Sequence, residues 1–194
     1  MNFFDTLPEG YTENFVIDAK SQKTGVIMNV AAIAVFIVFT VVAVILKGVD
    51  LKSVSLGFES LIFLIAFIVA VLAYTVLHEL VHGLFYKIFT RRKLTFGITW
   101  SAAFCGVPDV YVKKAPMLVT ILAPFVVFLL AAFPFLFIVT DARIFVLLAA
   151  FTGIHIGGCS GDLYGAAIML FKYSKHPELL VNDTGPKQTF FIKE

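Results

Sequence analysis

Residues 25–46 read GVIMNVAAIAVFIVFTVVAVIL, a run without a single charged side chain. Roughly 20 apolar residues of helix cross the hydrocarbon core of a bilayer. Inside that core every backbone N–H and C=O must be paired within the segment, so a run of this kind commits to a spanning helix. Three further runs follow at 60–86, 115–140 and 144–171. The whole chain is 60% hydrophobic and 14% charged over 194 residues. A water-soluble domain of that size has too little interior to hide so much apolar surface. The sequence therefore predicts an all-α membrane protein whose four transmembrane helices lie in the lipid bilayer. It divides into an N-terminal segment (1–24), a four-span unit (25–171) and a tail (172–194). Pro116 near the start of the third run, with Pro124 and Pro134 inside it, predicts a kink there.

Basic residues orient the spans. Of fifteen Lys and Arg, twelve fall before the first run, between the second and third, or after the fourth, leaving only Lys47, Lys52 and Arg143 for the other side. Both termini are thus expected in the cytoplasm of a multi-pass cell-membrane protein. A net charge of +2 is too small to argue for a nucleic-acid partner. The start, MNFFDTLPEGYTENFVIDAKSQK, lacks the basic-then-apolar pattern of a cleavable signal. Cys105 and Cys159 make no disulfide framework and are expected reduced. Outside the spans, KLTFGITWSAAFCGVPDVYVKK alternates around central turn residues and reads as a small β-hairpin or re-entrant loop on the cytoplasmic side. The tail shows two short strands around Asp183–Pro186 in the same way.

One stretch breaks the apolar rule. AYTVLHELVHGLFYKIF places His78, Glu79 and His82 inside the second span. An ionisable residue at mid-membrane costs about 2.5–3.5 kcal/mol even on the lenient insertion scale, which makes it a functional candidate by default. The pattern H-E-x-x-H stands two imidazoles one helical turn apart, where both reach one zinc ion. Glu79 projects beside them, close enough to take a proton from a water on the metal without itself ligating. The bland reading is two satisfied histidines and a buried glutamate in a helix bundle.

A catalytic zinc site needs a third protein ligand and one open position. Depth selects it. His78 precedes Lys87 by nine residues and Asp162 precedes Lys172 by ten, in spans that run the same way. At 1.5 Å per residue, both lie roughly 13–15 Å below the cytoplasmic boundary. Asp162 is therefore the expected third ligand, with Cys159 its rival, since thiolate binds zinc well but faces elsewhere on a regular helix. His155, about 10 Å deeper, is expected to support the site or to make a polar contact between spans. Asp109 reads as a turn residue and His176 as solvated. Gly157, Gly158 and Gly161 allow close helix approach, or a backbone opening near Asp162.

These residues resemble a known group. HELVHG late in one span and GGCSGDLYG in a later one look like the site-2 protease class of intramembrane zinc metallopeptidases. LPEGY, FGITWSAAFCGVP, LAPF and GDLYG narrow the resemblance to short bacterial membrane proteins described as zincin peptidases. The resemblance implies His78, His82 and Asp162 as zinc ligands and Glu79 as base. It also implies hydrolysis of a transmembrane or membrane-near peptide. Asp162 is preceded by Gly161 and followed by Leu163, so the Asp-Gly order usual in the site-2 class is reversed. Two other classes compete: a non-proteolytic zinc-binding assembly factor or sensor, and a proton-relay or transport protein using His155 and Asp162. Only the protease needs Glu79 beside the ligands.

Overall fold

The computed structural model describes residues 2–50, 57–100 and 102–194. Lys52, counted above on the side opposite the termini, lies outside them. Strands β1 (Phe3–Phe4) and β2 (Tyr11–Asp18) precede helix α1 (Gln22–Lys47), which is apolar on nearly every face. Gly48, with φ 68°, ends α1; its N–H and that of Val49 return to the carbonyls of Ile45 and Val44. A left-handed residue at this point closes a helix at little cost only when it is glycine.

Helix α2 runs from Phe58 to Thr90. At 1.5 Å per residue, these 33 residues extend about 50 Å, well beyond a hydrocarbon core of about 30 Å. Its last turns therefore project out of the bilayer and bury Tyr86 against the strands. Strands β3 (Thr95–Ile98) and β4 (Ala103–Lys113) form the hairpin expected after the second span. Helix α3 (Lys114–Ala132) passes through Pro124 and ends before Pro134, which opens the single turn α4 (Phe135–Ile138). The fourth span is broken. Helix α5 (Ala142–Gly158) meets α6 (Ser160–Ala167) at a bend of 40°, and a five-residue π-turn, Ile168–Lys172, follows. Among the described residues, three helices are long and apolar enough to cross a membrane, and the bent pair makes a fourth if counted as one span.

The β content exceeds the small hairpin expected of an all-α protein. With β5 (Leu180–Asp183) and β6 (Lys187–Lys193), six strands pair antiparallel in the order β1-β4-β5-β6-β2, and β3 joins β4. The extra strands come from the N-terminal segment, where β2 pairs with β6 from Tyr11↔Lys193 to Asp18↔Lys187. Such pairing is non-local, so no hairpin signal announces it. β4 and β5 lose register between Val107 and Val112, and Asn182 bridges the gap by donating to the carbonyls of Pro108 and Val110. Asp109, expected in a turn, sits exposed in this irregular strand.

One face of the sheet packs on the ends of α2, α3 and α6. Val107, Val110, Val112, Leu179, Val181 and Phe190 bury against Tyr86, Met117, Ile121 and Met169. The helices themselves leave long apolar side chains uncovered, Leu46 at 81% and Leu72 at 64% exposure. Water does not tolerate such a continuous apolar belt, and lipid does. Because the strands come from before α1, between α2 and α3, and after the last helix, these three segments share one side of the molecule.

Candidate metal centre

Along α2 the buried residues Tyr74, His78, His82, Tyr86 and Thr90 recur every fourth position and form one ridge. In the middle of that ridge, His78 Nε2 lies 3.2 Å from one carboxylate oxygen of Asp162, and His82 Nε2 lies 3.4 Å from the other. All three donor atoms fall within 4.8 Å of one another. A tetrahedral ion with bonds of about 2.0–2.1 Å separates its ligand atoms by about 3.3 Å.

The other nitrogen of each ring is already engaged. His82 Nδ1 is 3.0 Å from the carbonyl of Thr120. A carbonyl only accepts, so Nδ1 carries the hydrogen and Nε2 of the neutral ring is a bare lone pair. That carbonyl is free for a local reason. Its helical partner would be the N–H four residues on, and the residue there is Pro124, which has none. His78 Nδ1 lies 3.1 Å from the Tyr74 hydroxyl. Both Nε2 atoms thus approach one carboxylate across little more than 3 Å. Two imidazoles and a carboxylate this close are a zinc-type donor set that could hold one divalent cation.

Glu79 is half-buried and lines the same cleft as the three donors, a space of ≈ 330 Å³. The backbone N–H of Cys105 in β4 lies within reach of its carboxylate. The hairpin comes this close because position 83 is glycine. A Cβ there would stand 3.0 Å from the Phe96 ring and 3.1 Å from Leu94. The opposite wall of the cleft is the α1 face carrying Gly25, Met28, Asn29 and Ala32. Asn29 has no hydrogen-bond partner among the described residues.

Cys159 belongs to a second convergent group, with His78 and His155. There the Tyr74 hydroxyl stands 3.1 Å from His78 Nδ1 and 2.9 Å from His155 Nδ1, so it already occupies the space between them. Cys159 Sγ lies 3.7 Å from His155 Nδ1 and is fully buried. His155, expected either to support the site or to tie spans together, contacts α2 through Tyr74 and α3 through the Phe125 carbonyl at 3.0 Å. The premise of a regular fourth span does not hold, since α5 stops at Gly158, yet His78 and Asp162 meet. His176, expected in solvent, is partly exposed and pairs with Glu178 at 2.9 Å. Sequence reasoning passed over Tyr74. Its spacing of four from His78, in an otherwise apolar run, was the available signal.

A multi-pass membrane chain with H-E-x-x-H on one helix and an aspartate brought to it from another has the layout of a membrane metallopeptidase. A family model described as "Putative zincin peptidase" matches residues 71–176. The chain belongs to that family, and the description implies a zinc-dependent peptidase with peptide substrates. No curated protein and no solved structure matches the chain.

Proposed function

We propose that the chain is a membrane-embedded zinc endopeptidase that cuts transmembrane or membrane-near peptides from the cytoplasmic side. The observation that carries this reading is the convergence of His78 Nε2, His82 Nε2 and both Asp162 oxygens beside Glu79 in one cleft. His78, His82 and Asp162 hold the ion. When bound, zinc polarises a peptide carbonyl and makes water more acidic. Glu79 does the proton work: it takes a proton from the attacking water and returns it to the leaving amine. The Thr120 carbonyl keeps the His82 ring turned toward the ion. Across the cleft the Asn29 amide offers a donor and an acceptor to an extended main chain, and β3 offers a strand edge. The four-span unit 25–171 is the catalytic part, and the segments before and after it complete the sheet.

Glu79→Gln tests the reading, because it keeps size and polarity but cannot accept a proton. Zinc content, measured by metal analysis of protein purified in detergent, is expected to match wild type. Cleavage is expected to fall by about 10²–10⁴-fold, read by comparing membrane proteomes of cells with wild type, Glu79→Gln and no protein. Full restoration of the wild-type pattern by Glu79→Gln would assign the chain to zinc binding without proteolysis.

A further inference from the structure

We propose that Tyr74 and His155 form a hydrogen-bond relay that holds His78 in the tautomer presenting Nε2 to the metal, which makes both of them positioning residues. The proposal rests on the zinc reading above and adds to it the device that prepares one ligand.

The direction of the relay follows from its fixed end. The Phe125 carbonyl can only accept, so His155 Nε2, 3.0 Å away, donates to it. The other nitrogen of that neutral ring, Nδ1, is then an acceptor, and the Tyr74 hydroxyl at 2.9 Å donates its only hydrogen to it. What the phenol oxygen has left is lone pairs. His78 Nδ1 at 3.1 Å must therefore be the donor, and the proton of His78 stays on Nδ1. Each step removes one choice from the next, and the last removes the tautomer that would block the metal.

The relay is also held mechanically. The Tyr74 ring meets Phe128 and Phe151 edge-on, with centroids 5.0 and 5.3 Å away. His155 is fully buried and stacks on Phe125. Three polar groups set in this aromatic cage, at membrane depth, are expensive unless each is satisfied. Cys159 Sγ, at 3.7 Å from His155 Nδ1, adds only a weak S–H donor. A simple tie between helices would need neither the polarity nor the end point at a ligand ring.

Removing His155 has a sharper consequence than losing one hydrogen bond. The phenol hydrogen then has His78 Nδ1 as its nearest acceptor, and donation there moves the His78 proton to Nε2. Tyr74→Phe removes the hydroxyl and leaves the ring packing. Groups that orient metal-bound histidines typically contribute about 10–100-fold to metal affinity. The experiment is competition for Zn²⁺ against a chromophoric chelator in detergent, with the Co²⁺ visible spectrum and the metal-free thermal midpoint alongside. Tyr74→Phe and His155→Leu are each expected to weaken Zn²⁺ by about 10–100-fold and to alter the Co²⁺ spectrum. His155→Gln, whose carbonyl accepts and whose amide donates, is expected to bind within about threefold of wild type. The double variant is expected to bind no more weakly than Tyr74→Phe, because the steps are in series. Wild-type affinity in Tyr74→Phe or in His155→Leu, or additive losses in the double variant, would overturn the relay. A lowered midpoint with unchanged affinity would overturn it equally, leaving a tie between helices. If Tyr74→Phe fails to fold, the contrast of His155→Leu with His155→Gln decides alone. Failure of the wild type itself to bind Zn²⁺ would instead remove the zinc reading.

Discussion

Asp162 and Cys159 are three residues apart, and a single turn of chain decides which of them faces both imidazoles. Asp162 sets both carboxylate oxygens against the two ring Nε2 atoms. Cys159 faces the other side of His78, where Tyr74 already sits. Asp162→Ala is therefore expected to abolish stoichiometric zinc, and Cys159→Ala to retain it, by metal analysis of the purified variants. Outside the membrane, Asp183 is a different kind of carboxylate. It is 3% exposed and accepts from the Tyr86 hydroxyl, the Gly185 N–H and Gln188. Burial outweighs these donors and raises its pKa from 3.8 to about 6. The folded protein thus binds this proton more tightly than the unfolded chain. Asp183 favours folding fully below about pH 4, and that contribution is lost as pH rises to about 6. Thermal midpoints of wild type relative to Asp183→Asn are expected to fall across that window and then level off. The shift corresponds to about 3 kcal/mol.

The packing of the last span on α1 depends on which glycines touch a neighbour. A Cβ on Gly157 would stand 2.4 Å from the Ala32 carbonyl oxygen, and one on Gly153 would stand 3.0 Å from that of Phe36. These two glycines let α5 lie directly on α1, as small residues do between membrane helices. Gly161 faces open space. Gly157→Ala is expected to lower stability by about 1–3 kcal/mol, because backbone must move to admit the methyl. Gly161→Ala is expected to be neutral or to stabilise by up to about 1 kcal/mol through helix propensity. Melting curves in one detergent check both. The bend after Gly158 then redirects the chain, so that His155 turns toward Tyr74 and Asp162, seven residues on, turns toward the imidazoles.

At the scale of the molecule, the sheet ties together segments from both ends of the chain. β2 and β6 pair along their length, and β4, between α2 and α3, joins them through β5. Segments sharing one sheet lie on one side of the membrane, and twelve of fifteen basic residues belong to them or to the helix ends that adjoin them. Reporters fused after Lys93 and after Glu194 are expected to report the cytoplasm, and one at Lys52 the opposite side. Opposite locations for the first two would contradict the sheet as well as the charge rule.

Apolar runs and charge placement are written locally, because a bilayer imposes its conditions residue by residue, so the spanning helices are legible in the chain itself. The H-E-x-x-H histidines are legible for the same reason: both sit on one helix, and a spacing of four fixes their common face. Depth counting assumes an unbroken helix, and Asp162 still lies beside both histidines, since a bend of 40° changes direction more than height. The six-stranded sheet, the Thr120 carbonyl released by Pro124, and the path from His78 through Tyr74 to His155 are not legible. Each joins residues distant in the chain, and its geometry exists only once the helices have packed. Sequence alone determined that this is a membrane protein bearing an H-E-x-x-H pair. Tertiary packing decided which atoms of its histidines remain free, because that depends on what each ring's other nitrogen meets.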